Sequence, residues 1–399
     1  MDRFSKAHDW LIKLSSESKF FRDKTLPKLE IVNRFLDELG RPDESFDFRV
    51  VVGGTAGKGT VCLLTEDVLV RSGKKVVTLI SPHVQVVTER IRLNGADISP
   101  KEFGENVLHI KEIAEKIEIL PTYYEAIVLA GILAGQRNKC EVLVAEVGCG
   151  GEFDAVNAVR GKRIAALTFI GEDHLEILGG TLEKVAETKS GIFTPDSILN
   201  LSCEKRFTSI LEKKGQVTFV KGIPNKLNKK LARDIVEKIL GTGDFEMQKV
   251  DIPARWEVLK NPGSKSRSPG SKVILDGAHS APRFEFILPK LKKIAGKRIG
   301  VIAMAKNHDP KSLDIIAPEL DEIIWTTVSG EREFWSPAEL ANITRVPNFQ
   351  NPGFAIEEDP IKAFNLAKEK EGTVLVLGSF YLAGVIRNLF YPSEEILKN

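Results

Sequence analysis

The chain has 399 residues, with 57 Lys+Arg against 55 Asp+Glu and a formal charge of +2, so it lacks the basic surplus of a dedicated nucleic-acid binder. Its 42% hydrophobic content suffices for a core in each of the roughly two or three domains this length suggests, which excludes a largely disordered chain. Cys62, Cys140, Cys149 and Cys203 follow no zinc or disulfide spacing, a pattern that predicts reducing, cytoplasmic surroundings. The N-terminus has no apolar signal core, and the apolar runs Ala126–Gly135 and Thr373–Ile386 are shorter than the roughly 20 residues of a membrane span, so no membrane contact is expected.

Ser5–Ser15 and Leu26–Leu39 read as helices that pack on the first domain. From Phe48 onward, short β-branched runs alternate with helical stretches, as in a parallel sheet with crossover helices. Strand Arg49–Val52 meets a glycine turn and then a helix over Lys58–Arg71, whose Val61, Leu64, Val68 and Leu69 recur at helical spacing. Strands follow at Val76–Leu79, Val142–Glu146, Ile164–Phe169 and Ser197–Leu201, with helices over Leu182–Ser190 and Lys226–Leu240. A break at Gly241–Asp244 closes this domain, placed at residues 1–248. A second, smaller α/β domain at 249–399 contains a Pro/Gly/Ser-rich loop, Asn261–Ser271, between two strands. Strand Val273–Asp276, helix Arg283–Ile294, strands Arg298–Met304 and Glu322–Thr327, helices Pro337–Thr344 and Ile361–Glu369, and strand Thr373–Leu377 complete it.

The segment Gly53-Gly-Thr-Ala-Gly-Lys-Gly-Thr60 stands between a strand and a helix, where backbone N–H groups and the helix dipole can cradle a polyphosphate. Its glycines let the chain fold around the anion, Lys58 supplies charge to the outer phosphates, and Thr60 can reach a magnesium ion. It departs from the strict phosphate-loop pattern, since Gly59 separates the lysine from Thr60 and Val52 stands at the leading glycine. An ordinary glycine-rich turn is the alternative reading of this octamer alone.

The displaced pattern resembles the ATP loop of the Mur ligases, and further segments are similar to the folylpolyglutamate synthase and dihydrofolate synthase family. They are Ser81-Pro-His83 with Thr88–Gly95, Pro121–Ala126, Ala145–Asn157, Gly171–His174 with Leu178–Ala186, and Lys189–Phe193. Pro253–Val258, Leu275–His279 and Leu377–Leu382 continue the match in the second domain. The resemblance implies a Mur-ligase-like α/β fold, in which a P-loop-type ATP-binding domain precedes a smaller α/β C-terminal domain.

It also implies an ATP-dependent carboxylate-amine ligase, using ATP and magnesium to join L-glutamate to a pteroate or folate through an acyl phosphate. A carboxylate is a poor electrophile until phosphorylated, so such an enzyme must hold triphosphate and carboxylate together and exclude water. By resemblance, Thr55, Gly57, Lys58, Gly59, Thr60, Asn228, Arg255 and Asp276 bind ATP. Ser81 and Glu146 hold a first magnesium ion, while His174 and Lys189, the latter as a carbamate formed with carbon dioxide, ligate a second. Arg90, Asp154 and Ser379 bind substrate, and Lys58, His279 and Lys189 take part in catalysis. The remaining partners are small molecules, with a monomeric chain and no nucleic acid or membrane.

The chain departs from the family at Ala56, where asparagine is usual, at Thr60, and at Ser280 after His279, where one residue is also inserted before Pro282. Glu152 and Val156 flank Asp154 where bifunctional members often carry Arg and Thr. These departures leave open a Mur-type ligase acting on another carboxylate, and a nucleotide-binding regulatory module without ligase activity. His8, His109 and His308 fall in no motif and read as surface residues.

Overall fold

The computed structural model describes residues 2–21, 28–171, 178–222, 226–259, 272–329, 333–344 and 354–398. The chain forms two compact units, the first Met1–His83 with Val87–Val250, the second Val84–Val86 with Asp251–Asn399.

In the first unit, helix α1 (Arg3–Phe21) buries Ala7, Trp10, Leu11 and Leu14, a stripe at spacings of three and four that defines one helix face. Helix α2 (Lys28–Glu38) follows, and then strand β1 (Phe48–Gly53), whose Val50, Val51 and Val52 are fully buried. A continuous apolar run of this kind suits a central parallel strand covered on both faces. Helix α3 (Lys58–Arg71) comes directly after the glycine turn, as its periodicity predicts.

Strand β2 (Val76–Leu79) leads into a hairpin of β3 (Ile91–Leu93) and β4 (Ala96–Asp97), which the sequence reading did not anticipate. Two further helices, α4 (Pro100–Ile117) and α5 (Tyr123–Arg137), lie outside the elements expected from the sequence. Helix α5 is apolar on every side and buried from Glu125 to Gly135, so it carries no amphipathic period to detect. A capping box of Thr122 and Glu125 starts it. Among the described residues no helix is long and apolar enough to cross a membrane.

Strands β5 (Val142–Glu146), β6 (Arg163–Leu167), β7 (Ser197–Ser202) and β8 (Thr218–Phe219) complete an eight-stranded sheet of order β4-β3-β2-β5-β1-β6-β7-β8. The strands from β2 through β8 pair in parallel, while β3 and β4 run antiparallel at one edge. One apolar layer, with α1, α2, α4 and α5, covers one face; α3 and the helix Leu227–Leu240 cover the other. In register, Val52 faces Glu146, and Gly53 faces Leu167, so the carboxyl ends of β5, β1 and β6 lie at one edge of the sheet. Chain continuation to opposite sides of β1 makes this edge a switch point, where open α/β sheets bind ligands.

The second unit has a six-stranded sheet of β9 (Arg255–Leu259), β10 (Val273–Asp276), β11 (Arg298–Ile302), β12 (Glu322–Trp325), β13 (Phe354–Ile356) and β14 (Thr373–Leu377), ordered β13-β12-β11-β14-β10-β9. Among the described residues only β9 runs antiparallel in this sheet, pairing with β10. The helix expected at Arg283–Ile294 spans Ala281–Leu291, because Pro282 suits its first turn. Helix Phe380–Arg387 is a further element that the sequence reading did not place. The Asn261–Ser271 loop lies outside the described residues.

Candidate active site

The turn after β1 is sewn to the neighbouring strand before it reaches α3. Thr168 donates to Gly53 O through its N–H at 3.0 Å and its hydroxyl at 3.2 Å. Thr55 is fully buried, donates from its N–H to Phe169 O at 2.7 Å, and exchanges bonds between its Oγ1 and the backbone of Gly171 at 3.1 Å. The Thr55 side chain thus fixes the loop.

Gly57 precedes α3 at φ +92°, in the left-handed region, and a Cβ there would collide with Asn228 Nδ2. The close approach sets Asn228, from the helix Leu227–Leu240, against the phosphate loop. The first turn of α3 carries no acidic residue, which leaves its positive end to an anion.

Two buried ammonium groups meet in this loop. Lys58, 8% exposed, donates to Gly54 O at 3.0 Å, and Lys189, 3% exposed in the last turn of helix Leu182–Ser190, donates to the same oxygen at 3.3 Å. Glu146 ends β5 beside them, 4% exposed, with Oε2 accepting from Ser81 N at 2.9 Å. A Cβ on Gly59 would lie 3.2 Å from that Oε2, which measures how closely the carboxylate borders the phosphate loop.

These donors fit a magnesium ion. Magnesium takes few protein ligands, keeps waters and shares phosphate oxygens, so the buried Glu146 carboxylate, with Ser81 joined to it through its N–H and Thr60 in the first turn of α3, is a suitable set. Among the described residues no three His, Cys, Asp or Glu side chains form a closed metal cage. His174, expected at a second metal, lies outside the described residues.

Beyond Glu146 the chain turns around Asp154, which is 6% exposed. Its Oδ2 accepts from Gly148 N at 2.9 Å and Cys149 N at 3.1 Å, and its Oδ1 from Val156 N at 3.1 Å. Tyr124 Oη stands 3.2 Å from Asp154 Oδ1 and 3.1 Å from Glu146 O. Burial pushes the Asp154 carboxyl up to about 6, overcoming the opposing hydrogen bonds, and holds the Tyr124 phenol well above its ordinary value. Asp154 therefore organises the loop that follows Glu146. Arg90 donates from Nε to His83 Nδ1 at 2.8 Å and lies 5.5 Å from the centre of the Tyr123 ring. Burial first, and then the Arg90 charge, push the His83 imidazole down to about 3, so it stays neutral and accepts.

The second unit carries its own group of candidate residues. Asp276, 4% exposed, accepts from Trp256 N at 2.8 Å and Ala278 N at 2.9 Å, which secures the turn bearing Arg255. Ala254 and Trp256 flank Arg255 at φ 50° and 56°, a strained conformation for residues with a Cβ. The Arg255 guanidinium sits 4.5 Å from the Phe380 ring centre. His279 Nδ1 lies 2.7 Å from Gly277 O; a carbonyl only accepts, so Nδ1 carries the hydrogen and Nε2 presents a lone pair. Burial, Arg283 and His308 hold the His279 imidazole well below its ordinary value, so it is neutral. Ser379 caps helix Phe380–Arg387, accepting from Tyr381 N at 3.1 Å.

His308 departs from its expected surface role. Its ring stacks on His279 with centroids 4.2 Å apart, because the turn after β11 brings it over the end of β10. His308 falls in no motif, while Tyr124 stands within the Pro121–Ala126 segment but received no role there.

The Mur ligase middle domain model matches residues 52–256, which include the phosphate loop, Glu146, Lys189 and Asn228. The chain is 27% identical to the dihydrofolate synthase/folylpolyglutamate synthase of Haemophilus influenzae, over 94% of this chain and 95% of that protein. It is 35% identical to a folylpolyglutamate synthase of Arabidopsis thaliana over 171 residues, 42% of this chain and only 30% of the relative's length. Its fold matches that of the bifunctional folylpolyglutamate synthase/dihydrofolate synthase of Yersinia pestis complexed with AMPPNP and Mn ion, with a TM-score of 0.79 at 22% identity over 96% and 98% of the two chains. The chain belongs to the Mur ligase family, and over nearly its whole length it is similar to a dihydrofolate synthase/folylpolyglutamate synthase.

Proposed function

We propose that the protein is an ATP-dependent amide ligase that adds L-glutamate to dihydropteroate, to reduced folates, or to both. The convergence of Lys58 and Lys189 on Gly54 O, with Glu146 at the same strand edge, carries this reading.

Binding starts at the loop. Its backbone N–H groups and the α3 terminus receive the triphosphate, and Lys58 holds charge that builds on the γ-phosphoryl group during transfer. Magnesium, held through Ser81 and Glu146, supplies charge neutralisation on the phosphates when bound. An acceptor carboxylate oxygen attacks the γ-phosphorus, the bond to the β-phosphate oxygen breaks, and ADP leaves. The glutamate amine then attacks the acyl carbon, the carbon–oxygen bond to phosphate breaks, and inorganic phosphate departs as the amine loses a proton.

Residues of the second unit serve nucleotide and amino acid. Arg255, fixed by the turn that Asp276 secures, offers a guanidinium to phosphate, a geometry suited to paired oxygens. His279 has its Nε2 lone pair available to receive a hydrogen bond from the incoming amine. A group held so far below its ordinary value orients the amine and does not retain its proton at neutral pH. Ser379, Arg90 and Asp154 contribute to the substrate sites, Asp154 by shaping the loop after Glu146. The enzyme works as a cytoplasmic monomer.

Asp154's engagement with its own loop favours, as a second reading, the same chemistry on another carboxylate acceptor. ADP and phosphate release, measured with L-glutamate and a panel of pteroates and folates, separates these readings. Stimulation by one of the panel is expected; no stimulation by any of them overturns the folate assignment.

A further inference from the structure

Tyr124 occupies a place that no step of the ligation uses. It is the second residue of α5, and the Thr122–Glu125 capping box holds that helix end, with Thr122 N donating to Glu125 Oε2 at 2.8 Å. Its phenol reaches across to the far end of β5, where Oη lies between Glu146 O and Asp154 Oδ1. The phenol has one proton, which the two acceptors share, so both sit against the same oxygen at 3.1 and 3.2 Å. Gly148 lies directly against the ring: a Cβ there would come within 2.7 Å of Cζ.

The Glu146 end of β5 is therefore held from two directions. Its carboxylate faces Ser81 N and the phosphate loop, while its carbonyl is held by the phenol. Asp154 extends the hold, because the carboxylate that meets Tyr124 also binds Gly148 N and Cys149 N, the first turns of the chain leaving β5. Loss of the hydroxyl releases the carbonyl and one side of Asp154 together, and the peptide that aims the Glu146 side chain gains freedom.

We propose that Tyr124 is a positioning residue, whose phenol aims Glu146 at a divalent cation bound beside the phosphate loop. The proposal rests on the reading of Glu146 as a cation ligand. Groups that orient a metal's ligands typically change affinity or activity by about 10–100-fold when removed.

The test is a titration of Mn2+ into the full chain with AMPPNP, read as free Mn2+ by electron paramagnetic resonance, in parallel with the thermal midpoint. Tyr124→Phe is expected to weaken Mn2+ binding by about tenfold. Gly148→Ala, which retains the hydroxyl but drives a methyl into the ring, is expected to weaken it likewise. Unchanged Mn2+ affinity in a folded Tyr124→Phe protein, whatever its thermal midpoint, overturns the proposal if Glu146→Ala does lose Mn2+ binding. If Glu146→Ala also binds Mn2+ normally, the cation reading of Glu146 falls and the positioning role falls with it.

Discussion

Lys58 and Lys189 donate to one carbonyl oxygen, that of Gly54, at 3.0 and 3.3 Å. Two ammonium groups sharing an acceptor at this range repel by roughly 2–3 kcal/mol or more at an effective dielectric near 20. An arriving polyanion stabilises the arrangement, and the Glu146 carboxylate borders the same loop. A site that holds cations close together before its ligand arrives is preorganised for charge that develops during phosphoryl transfer.

Lys58→Ala is expected to lower kcat by about 10²–10³, the usual loss when one electrostatic donor to a transition state is removed. Circular dichroism and the thermal midpoint should remain close to those of the parent. A folded variant with near-normal turnover would show that this loop is not the reacting phosphate site.

For Lys189 the resemblance implies a carbamate, which would replace a buried cation by an anionic oxygen ligand and remove the repulsion with Lys58. Lys189→Ala should then lose most activity and recover part of it when short carboxylates are added. Lys189→Arg should not recover, since a guanidinium keeps positive charge in the place. Full activity of Lys189→Ala, or equal behaviour of both variants with added carboxylate, would refute the carbamate.

Gly57→Ala places a methyl against the Asn228 amide in a backbone conformation of φ +92°. The left-handed backbone costs about 1–2 kcal/mol for a residue with a Cβ, and the collision adds to it. Nucleotide affinity should fall at least tenfold, as followed by calorimetry with AMPPNP. The double variant Gly57→Ala/Asn228→Ala should lose less than the sum of the two single changes, because one contact is removed from both. Strict additivity would place Asn228 away from the loop.

Asp154 gives a pH signature. Burial raises its folded-state value to about 6, above the ordinary carboxylate range, so between about pH 4 and 6 the folded protein binds more proton than the unfolded chain. Its contribution to stability is present below about pH 4 and is lost as pH rises to 6, with a total on the order of 3 kcal/mol. In Asp154→Asn that decline should vanish. Urea unfolding of both proteins at closely spaced pH values measures the difference, and parallel curves from pH 4 to 7 would exclude the raised value.

Much of the first unit is legible in the residues themselves. Val50 to Val52 are apolar on both faces, the glycines after them permit only a tight turn, and Val61, Leu64 and Val68 give α3 its face, so strand, loop and helix follow from local chemistry. The hairpin Ile91–Asp97 was not legible, since strands of three and two residues carry too little alternation to mark them. Helix α5 was hidden for the opposite reason, being apolar throughout.

Tertiary structure alone decided which side chains meet. Periodicity places Lys189 on a helix end and Asn228 on another helix, and motif likeness assigns them roles, but neither shows Lys189 on Gly54 O or Asn228 against Gly57. Tyr124 and His308 make the same point. The capping box that starts α5 is local, whereas the reach of the Tyr124 phenol depends on the end of β5 lying within hydrogen-bond distance of that helix start, and the stack of His308 on His279 depends on two strand ends arriving at one edge. Apolar patterns recur with a period because every turn of an element meets the same core. A polar contact between distant segments occurs once, leaves no period, and exists only after the sheet order has brought the strand ends together.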